Sequence, residues 1–256
     1  MKLMCGDCLE LMQTISDNSI DATITSPPYD DLRTYEGKVQ WGEEQWQNAL
    51  RQLYRITKDG GVVVWIVNDA SDNGSETGTS FKQALYAKEV GFNLHDTMIW
   101  NKQNGGFRNS KTRYIPSFDY MFVFSKGKPK TTNLLCDRRN KSCGDRTCGS
   151  FRKADGTTVR QVRKRVKEFG KRYNIWNVSP FFDKRERTSH PAQFPIALAR
   201  DHILSWTNEG DRVLDPFMGS GTTAVACAET KRHFIGMELN ENYVAIAKLR
   251  LKDARR

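Results

Sequence analysis

The tetrapeptide Ser26-Pro27-Pro28-Tyr29 sets a hydroxyl, two rigid prolines and a flat ring side by side. Proline carries no backbone N–H, so the stretch accepts more hydrogen bonds than it donates. A hydroxyl and a bare carbonyl beside an aromatic plane suit an amino group attached to a planar heterocycle. Ser26 and the Pro27 carbonyl would accept its two N–H groups, and Tyr29 would lie against the ring. The plain alternative is a rigid turn with an incidental tyrosine.

A second constellation lies near the other end. Arg212–Leu214 reads as a strand, and Gly219, Gly221 and Ala224 follow as G-x-G-x-x-A. Thr222–Glu229 then reads as a helix and Phe234–Glu238 as the next strand. Glycine in such a turn lets a ligand approach the backbone. Glu238, 19 residues beyond Gly219, stands where a carboxylate accepts from both ribose hydroxyls of a nucleoside cofactor. A dinucleotide would set its pyrophosphate on the helix N-terminus. S-adenosylmethionine has no phosphate but carries a cationic amino group and a sulfonium. Asp215, expected to point into the turn, suits a cation and would repel a pyrophosphate, which favours the methyl donor.

The elements that must hold these residues alternate between strand and helix. Residues 2–6 form a short apolar segment, and Leu9, Leu11, Met12 and Ile15 recur at roughly helical spacing up to Asn18. Asp21–Thr25 reads as a strand halted by the prolines. Trp46, Leu50, Leu53 and Tyr54 mark a helix face ending near Gly60 and Gly61. Val62–Val67 is a buried strand. Ser80 is expected to cap a helix with Phe81, Leu85 and Val90 inward. Thr97–Trp100 and Tyr120–Phe124 are strands, Pro195–Trp206 is amphipathic, and Tyr243–Leu251 is a last helix. Such alternation predicts an α/β fold, an open parallel sheet with right-handed crossovers and helices on both faces.

The paired motifs resemble those of the amino-methyltransferases that act on DNA bases, whose signatures are [DNS]-P-P-[YFW] and D-P-F-x-G-x-G-T. Here they are Ser26–Tyr29 and Asp215–Thr222. Their order, catalytic loop first and cofactor turn last, is similar to the circularly permuted β group. The resemblance implies a Rossmann-like, mixed but mostly parallel sheet with an irregular basic target-recognition insert. It implies a catalytic domain over 1–100 and 176–256, and target recognition over 101–175. The implied cofactor is S-adenosylmethionine and the implied partner double-stranded DNA, with a flipped base methylated on its amino nitrogen. Serine at the first loop position leans towards N4 of cytosine over N6 of adenine. Ser26, Pro27, Pro28 and Tyr29 would be catalytic. Gly6-Asp7-Cys8 resembles the family's N-terminal cofactor motif, giving Asp7 and Cys8. His190, Pro191, Ala192 and Phe194 lie in a segment resembling the one that closes over the methionine part. Asp215, Pro216, Phe217, Gly219, Ser220, Gly221, Thr222 and Thr223 would form the cofactor turn, with Glu238 and Leu239 beyond it. No metal is implied. The resemblance also admits a homodimer and a cognate restriction endonuclease outside this chain.

Charge adds an independent indication. The chain has 256 residues and a net charge of +10. Residues 126–172 hold 16 Lys and Arg against 4 Asp and Glu, which leaves the remainder at −2. One basic insert in a near-neutral body points to nucleic-acid contact. Its candidates are Arg138, Arg139, Arg152, Lys153, Arg160, Arg163, Lys164, Arg165 and Lys167, with Arg108, Lys111 and Arg113 from the polar loop 105–113. A basic helix over 158–169 is one form the insert would take, its charged face either bathing in solvent or touching phosphates.

Other classes fit less. No apolar run approaches the roughly 18 residues of a membrane span, and residues 1–13 have no apolar signal core. Six cysteines make no disulfide scaffold, so a reducing cytoplasm is expected. Cys5-x-x-Cys8 has no second pair nearby. Cys136, Cys143 and Cys148 lack a fourth zinc ligand, with no histidine between 96 and 189. His95, His202 and Cys227 read as structural. A non-catalytic DNA-binding protein would not need the proline loop. A nicotinamide oxidoreductase would explain neither that loop nor the basic insert. An RNA or protein-glutamine methyltransferase is a nearer rival.

Overall fold

The computed structural model describes residues 1–29, 41–102, 112–146, 149–160, 164–180, 188, 190 and 193–254. The first elements are β1 (Lys2–Cys5), α1 (Cys8–Gln13), β2 (Ile20–Thr25), α2 (Glu43–Ile56) and β3 (Thr57–Val67). A small hairpin of β4 (Ser71–Asp72) and β5 (Ser75–Glu76) leads to α3 (Thr79–Val90), β6 (Asn93–Asn101) and β7 (Phe118–Ser125). Four short strands follow, β8 (Arg138–Arg139), β9 (Ser150–Arg152), β10 (Thr158–Arg160) and β11 (Phe169–Gly170). The chain ends with β12 (Ile175–Asn177), α4 (Ile196–Trp206), β13 (Arg212–Asp215), α5 (Thr222–Glu229), β14 (His233–Glu238) and α6 (Glu241–Ala254).

Eight strands form one sheet in the order β1-β14-β13-β2-β3-β7-β6-β12. The first five are mutually parallel. β7 runs antiparallel to both β3 and β6, and β12 returns parallel to β6. The sheet is therefore mixed and mostly parallel. The wholly parallel sheet expected from alternation alone is corrected by β7, which pairs antiparallel with both of its neighbours. From β13 the chain crosses through α5 to β14, and from β2 through α2 to β3, in opposite directions along the sheet. With right-handed crossovers, α5 and α2 cover opposite faces. The β13/β2 boundary is thus a topological switch point, where open α/β sheets bind ligands beyond their strand ends. Val62–Val67 are all buried at the sheet centre, and the Trp65 indole donates to Gln83 Oε1 at 2.8 Å.

Local expectations need three corrections. α2 ends at Ile56, and Gly60 and Gly61 lie inside β3 instead of closing the helix. Gly78, not Ser80, caps α3, because Ser80 is already helical and binds Asp69 through its N–H and hydroxyl. Phe81 and Leu85 are 50% and 60% exposed, since α3 turns Gln83, Ala84 and Ala87 inward. Gln83 there satisfies the Trp65 indole, a polar reason for the rotation that hydrophobic periodicity does not carry.

Residues 134–173 form a compact unit of their own, and 1–133 with 174–256 form the other. The smaller unit lies within the 101–175 expected for target recognition, and β7 belongs to the large sheet. Its strands pair antiparallel as β9 with β10 and β8 with β11, and a bridge joins Arg146 to Arg165. The helix expected over 158–169 is corrected among the described residues: 158–160 and 169–170 are strand. None of its described residues is buried. Forty residues cannot enclose a substantial apolar core, and polar ties take its place. Arg172 pairs with Asp137, and the Arg138 guanidinium lies 4.7 Å over the Tyr173 ring.

Candidate active site

A cavity of about 170 Å³ opens at the C-terminal ends of β14, β13 and β2. Ser26 and Pro28 form one wall, directly after β2. Pro216, Phe217, Gly219, Ser220 and Thr222 of the turn after β13 form another. Asp7 and Cys8 arrive from the start of α1, His190 and Phe194 from the segment before α4, and Glu238 and Leu239 from the end of β14. The two motifs, nearly 190 residues apart, thus face one space.

Each wall has a local cause. The N-cap residue Asp7 accepts from the Leu9 N–H at 2.7 Å, which fixes its carboxylate at the cavity edge. Glu238 accepts from the Gly219 N–H and the Asn240 N–H, each at 2.9 Å. It therefore braces the glycine turn, and its burial pushes its pKa up. Gly219 adopts φ +53°, and a Cβ there would stand 2.8 Å from His190 Nε2. Backbone and imidazole consequently approach as only glycine permits. His190 in turn meets Tyr243 edge-on at 4.5 Å.

Five of the expected residues lie elsewhere. Asp215 is buried behind the turn instead of lining the cavity. Its Oδ1 accepts from Thr25 Oγ1 at 2.7 Å and the Phe217 N–H at 3.1 Å, and its Oδ2 from Thr223 Oγ1 at 2.6 Å. Asp215 thus ties the end of β2, one residue before Ser26, to the cofactor turn. Burial lifts its pKa to about 6, against the hydrogen bonds that favour its ionised form. Thr223 and Gly221 are buried with it. Pro27 is buried, and Tyr29 is half-buried against the core. Pro191, Ala192, Arg108, Lys111 and Arg163 lie outside the described residues.

Of the basic candidates, Arg139, Arg152, Lys153, Arg160, Lys164, Arg165 and Lys167 are exposed in the small unit, and Arg138 leans on Tyr173. Arg113 belongs to the large unit and binds the β4–β5 hairpin through Glu76, Ser71 and the Gly74 carbonyl.

Sequence reasoning missed several groups, Leu9, Asn240 and Tyr243 of the lining among them. Trp41 and Gln45 line the cavity from the start of α2, with Trp41 edge-on to Phe217 at 5.0 Å. Asp119 accepts from the Tyr29 hydroxyl and is itself held by Lys102 and Asn68. Asp119 left a signal: it is the one charged residue in the strand Phe118–Ser125, and a charge in a buried strand needs a partner.

The lining fits S-adenosylmethionine. Two carboxylates and apolar walls from Phe217, Phe194 and Leu239 enclose the space, and no Lys or Arg is among its described lining residues. A pyrophosphate would meet like charge there, whereas a nucleoside bearing cationic groups meets opposite charge.

Comparison with known proteins agrees with this chemistry. The family described as DNA methylase, of the N6 and N4 methyltransferase type, matches residues 20–249. The orphan methyltransferase M.BamHII of Bacillus amyloliquefaciens is 52% identical over 250 residues, 95% of this chain and 92% of that protein. The cytosine-N4-specific PvuII DNA methyltransferase superposes with a TM-score of 0.74 at 20% identity, covering 99% of this chain and 90% of that one. M1.HpyAVI in complex with SAM gives 0.64 at 25% identity, covering 98% and 99%. The chain belongs to the N6/N4 DNA methylase family, and it is an S-adenosylmethionine-dependent DNA amino-methyltransferase.

Proposed function

We propose that this chain methylates N4 of a cytosine flipped out of duplex DNA, and that it follows the permuted β order of catalytic loop, recognition insert and cofactor turn. The observation that carries the reading is the common cavity: the amino-accepting loop at Ser26 opens on the same space as the carboxylate-lined cradle. The cytosine-N4 specificity in the name of the PvuII relative supports the choice of base.

An amino group on a heterocycle is a poor nucleophile, because its lone pair is delocalised into the ring. Within a duplex it is also out of reach, and extruding the base costs a few kcal/mol. Tyr29 receives the extruded ring. Ser26 Oγ and the Pro27 carbonyl accept the two N–H groups, which favours a more tetrahedral nitrogen with its lone pair aimed at the cofactor. Bound S-adenosylmethionine would supply an electrophilic methyl, leaving a neutral thioether as the methyl passes to nitrogen, and the methylated amino group would release one proton to solvent. Asp7 and Glu238 hold the cationic cofactor, and the turn around Gly219 sets its approach. The contribution of the protein is positioning and electrostatics, with no covalent enzyme intermediate.

The exposed basic residues of 134–173 supply attraction to the phosphate backbone. The substrate sets the working compartment as the cytoplasm. The deciding experiment is transfer of labelled methyl from S-adenosylmethionine to DNA, followed by digestion to nucleosides. Label in N4-methylcytosine is expected; label in N6-methyladenine would replace the base assignment, and label in neither would overturn the reading.

A further inference from the structure

A chain of hydrogen bonds runs inward from the loop. Ser26 Oγ donates to the Tyr29 hydroxyl at 3.1 Å, and the Tyr29 hydroxyl donates to Asp119 Oδ2 at 3.3 Å. Asp119 is 2% exposed and also receives Lys102 Nζ at 2.7 Å on Oδ2 and Asn68 Nδ2 at 2.8 Å on Oδ1. Lys102, 4.9 Å over the Trp100 ring, neutralises a carboxylate that would otherwise be buried and unpaired. Neither Asp119 nor Lys102 lines the cavity.

We propose that Asp119, held by Lys102, is a positioning residue that sets the direction of this chain and so makes Ser26 an acceptor for the amino group of the base. The inference rests on the proposed role of the Ser26–Tyr29 loop. A carboxylate oxygen that already receives a lysine ammonium accepts, so the phenolic hydrogen of Tyr29 points at Asp119. The phenolic oxygen is then left to accept, and the Ser26 hydrogen points at it. The Ser26 lone pairs therefore remain for an outside N–H. Three donors in series beginning at an amino group also polarise one another towards the negative end. With an amide at position 119, one donor of the set faces another donor. The direction can then reverse, turning the Ser26 hydrogen towards the substrate N–H.

The test compares D119N, Y29F, S26A and the D119N/Y29F pair for kcat, KM for DNA, cofactor Kd and Tm. Loss of one charge-supported hydrogen bond should lower kcat about 10- to 100-fold in D119N. Cofactor Kd should stay within about twofold, since Asp119 is outside the cradle. Y29F cuts the same chain, so the double variant should be no slower than the slower single one. A purely structural role would instead lower Tm and multiply the two losses. Wild-type kcat in D119N, with S26A and Y29F impaired, overturns the role of Asp119 while leaving the loop reading intact. Full activity in both S26A and Y29F overturns the loop reading itself. Should D119N not fold, Y29F decides, because it keeps the Lys102–Asp119 pair: wild-type kcat there overturns the chain.

Discussion

Gly221 offers a measurement in which the cost can be divided in advance. It caps α5 at φ +84°, and a Cβ on it would stand 2.7 Å from Ala247 Cβ and 3.1 Å from Ala247 Cα on α6. Neither atom can rotate away, so the helices must part. The left-handed backbone costs a non-glycine residue about 1–2 kcal/mol. Overpacking between two buried helix faces adds about 1–3 kcal/mol. G221A should thus lose about 2–5 kcal/mol, roughly 4–20 °C in Tm for a chain of this length. A247G removes the nearer atom and by itself costs about 1 kcal/mol of helix propensity. In G221A/A247G most of the steric part returns and the backbone part stays, a coupling of about 1–3 kcal/mol. Urea and thermal unfolding of the four proteins give the cycle. If G221A melts with the wild type, or if the two losses simply add, the account of the α5–α6 contact is wrong.

Y29A should remove most turnover while cofactor Kd, read by calorimetry, changes little; unimpaired methylation would refute a role for the ring. Asp215 predicts a pH effect on the cofactor-free protein. Its pKa rises from 3.8 to about 6 on folding, so its contribution to stability is fully present below pH 4 and is lost as pH climbs through 6. Two pKa units are worth about 3 kcal/mol, and D215N should flatten that fall in unfolding curves taken between pH 4 and 7; an unchanged slope would exclude Asp215 as its source. Replacing Arg160, Lys164, Arg165 and Lys167 together by Gln should weaken DNA binding and shallow the log Kd against log salt plot by up to about 4 units, at about 0.9 per phosphate contact. Cofactor affinity should not move in that variant, and its collapse would show that the basic unit does more than bind phosphates.

The glycine turn was legible because everything that defines it is local. A strand, a turn, a helix and an acidic strand end follow within 27 residues of Arg212, and periodicity reports each one. The proline loop was legible for the same reason. What escaped depends on partners far along the chain. Tyr29 and Asp119 are 90 residues apart, and Thr25 and Asp215 are 190 apart. The place of Asp215 at a strand end is legible in the sequence, but its surroundings are not, since nothing in its neighbourhood announces Thr25. The basic segment from 158 onwards has charges that suit a helix as well as a strand. Its pairing with 138–139, 146 and 150–152 is what selects strand. For Phe81 and Leu85 the apolar pattern was misleading, because the inward face of α3 is chosen by the hydrogen bond from Trp65 to Gln83.

The division of charge has a reason in the two ligands. The cofactor is cationic and DNA is anionic, so one surface cannot favour both. Residues 134–173 hold 13 Lys and Arg against 4 Asp and Glu, and the remaining residues 27 against 26. The large unit can therefore keep Asp7 and Glu238 at its cavity with no basic side chain among the described residues of the lining. Interleaving the same lysines and arginines around the cradle would pair them with those carboxylates, lowering their pull on the cofactor and their own pull on phosphate. The same logic explains Lys102. It is bound to Asp119 at 2.7 Å, so the cation is spent inside the protein, paired with a buried carboxylate, instead of adding to the attraction for DNA.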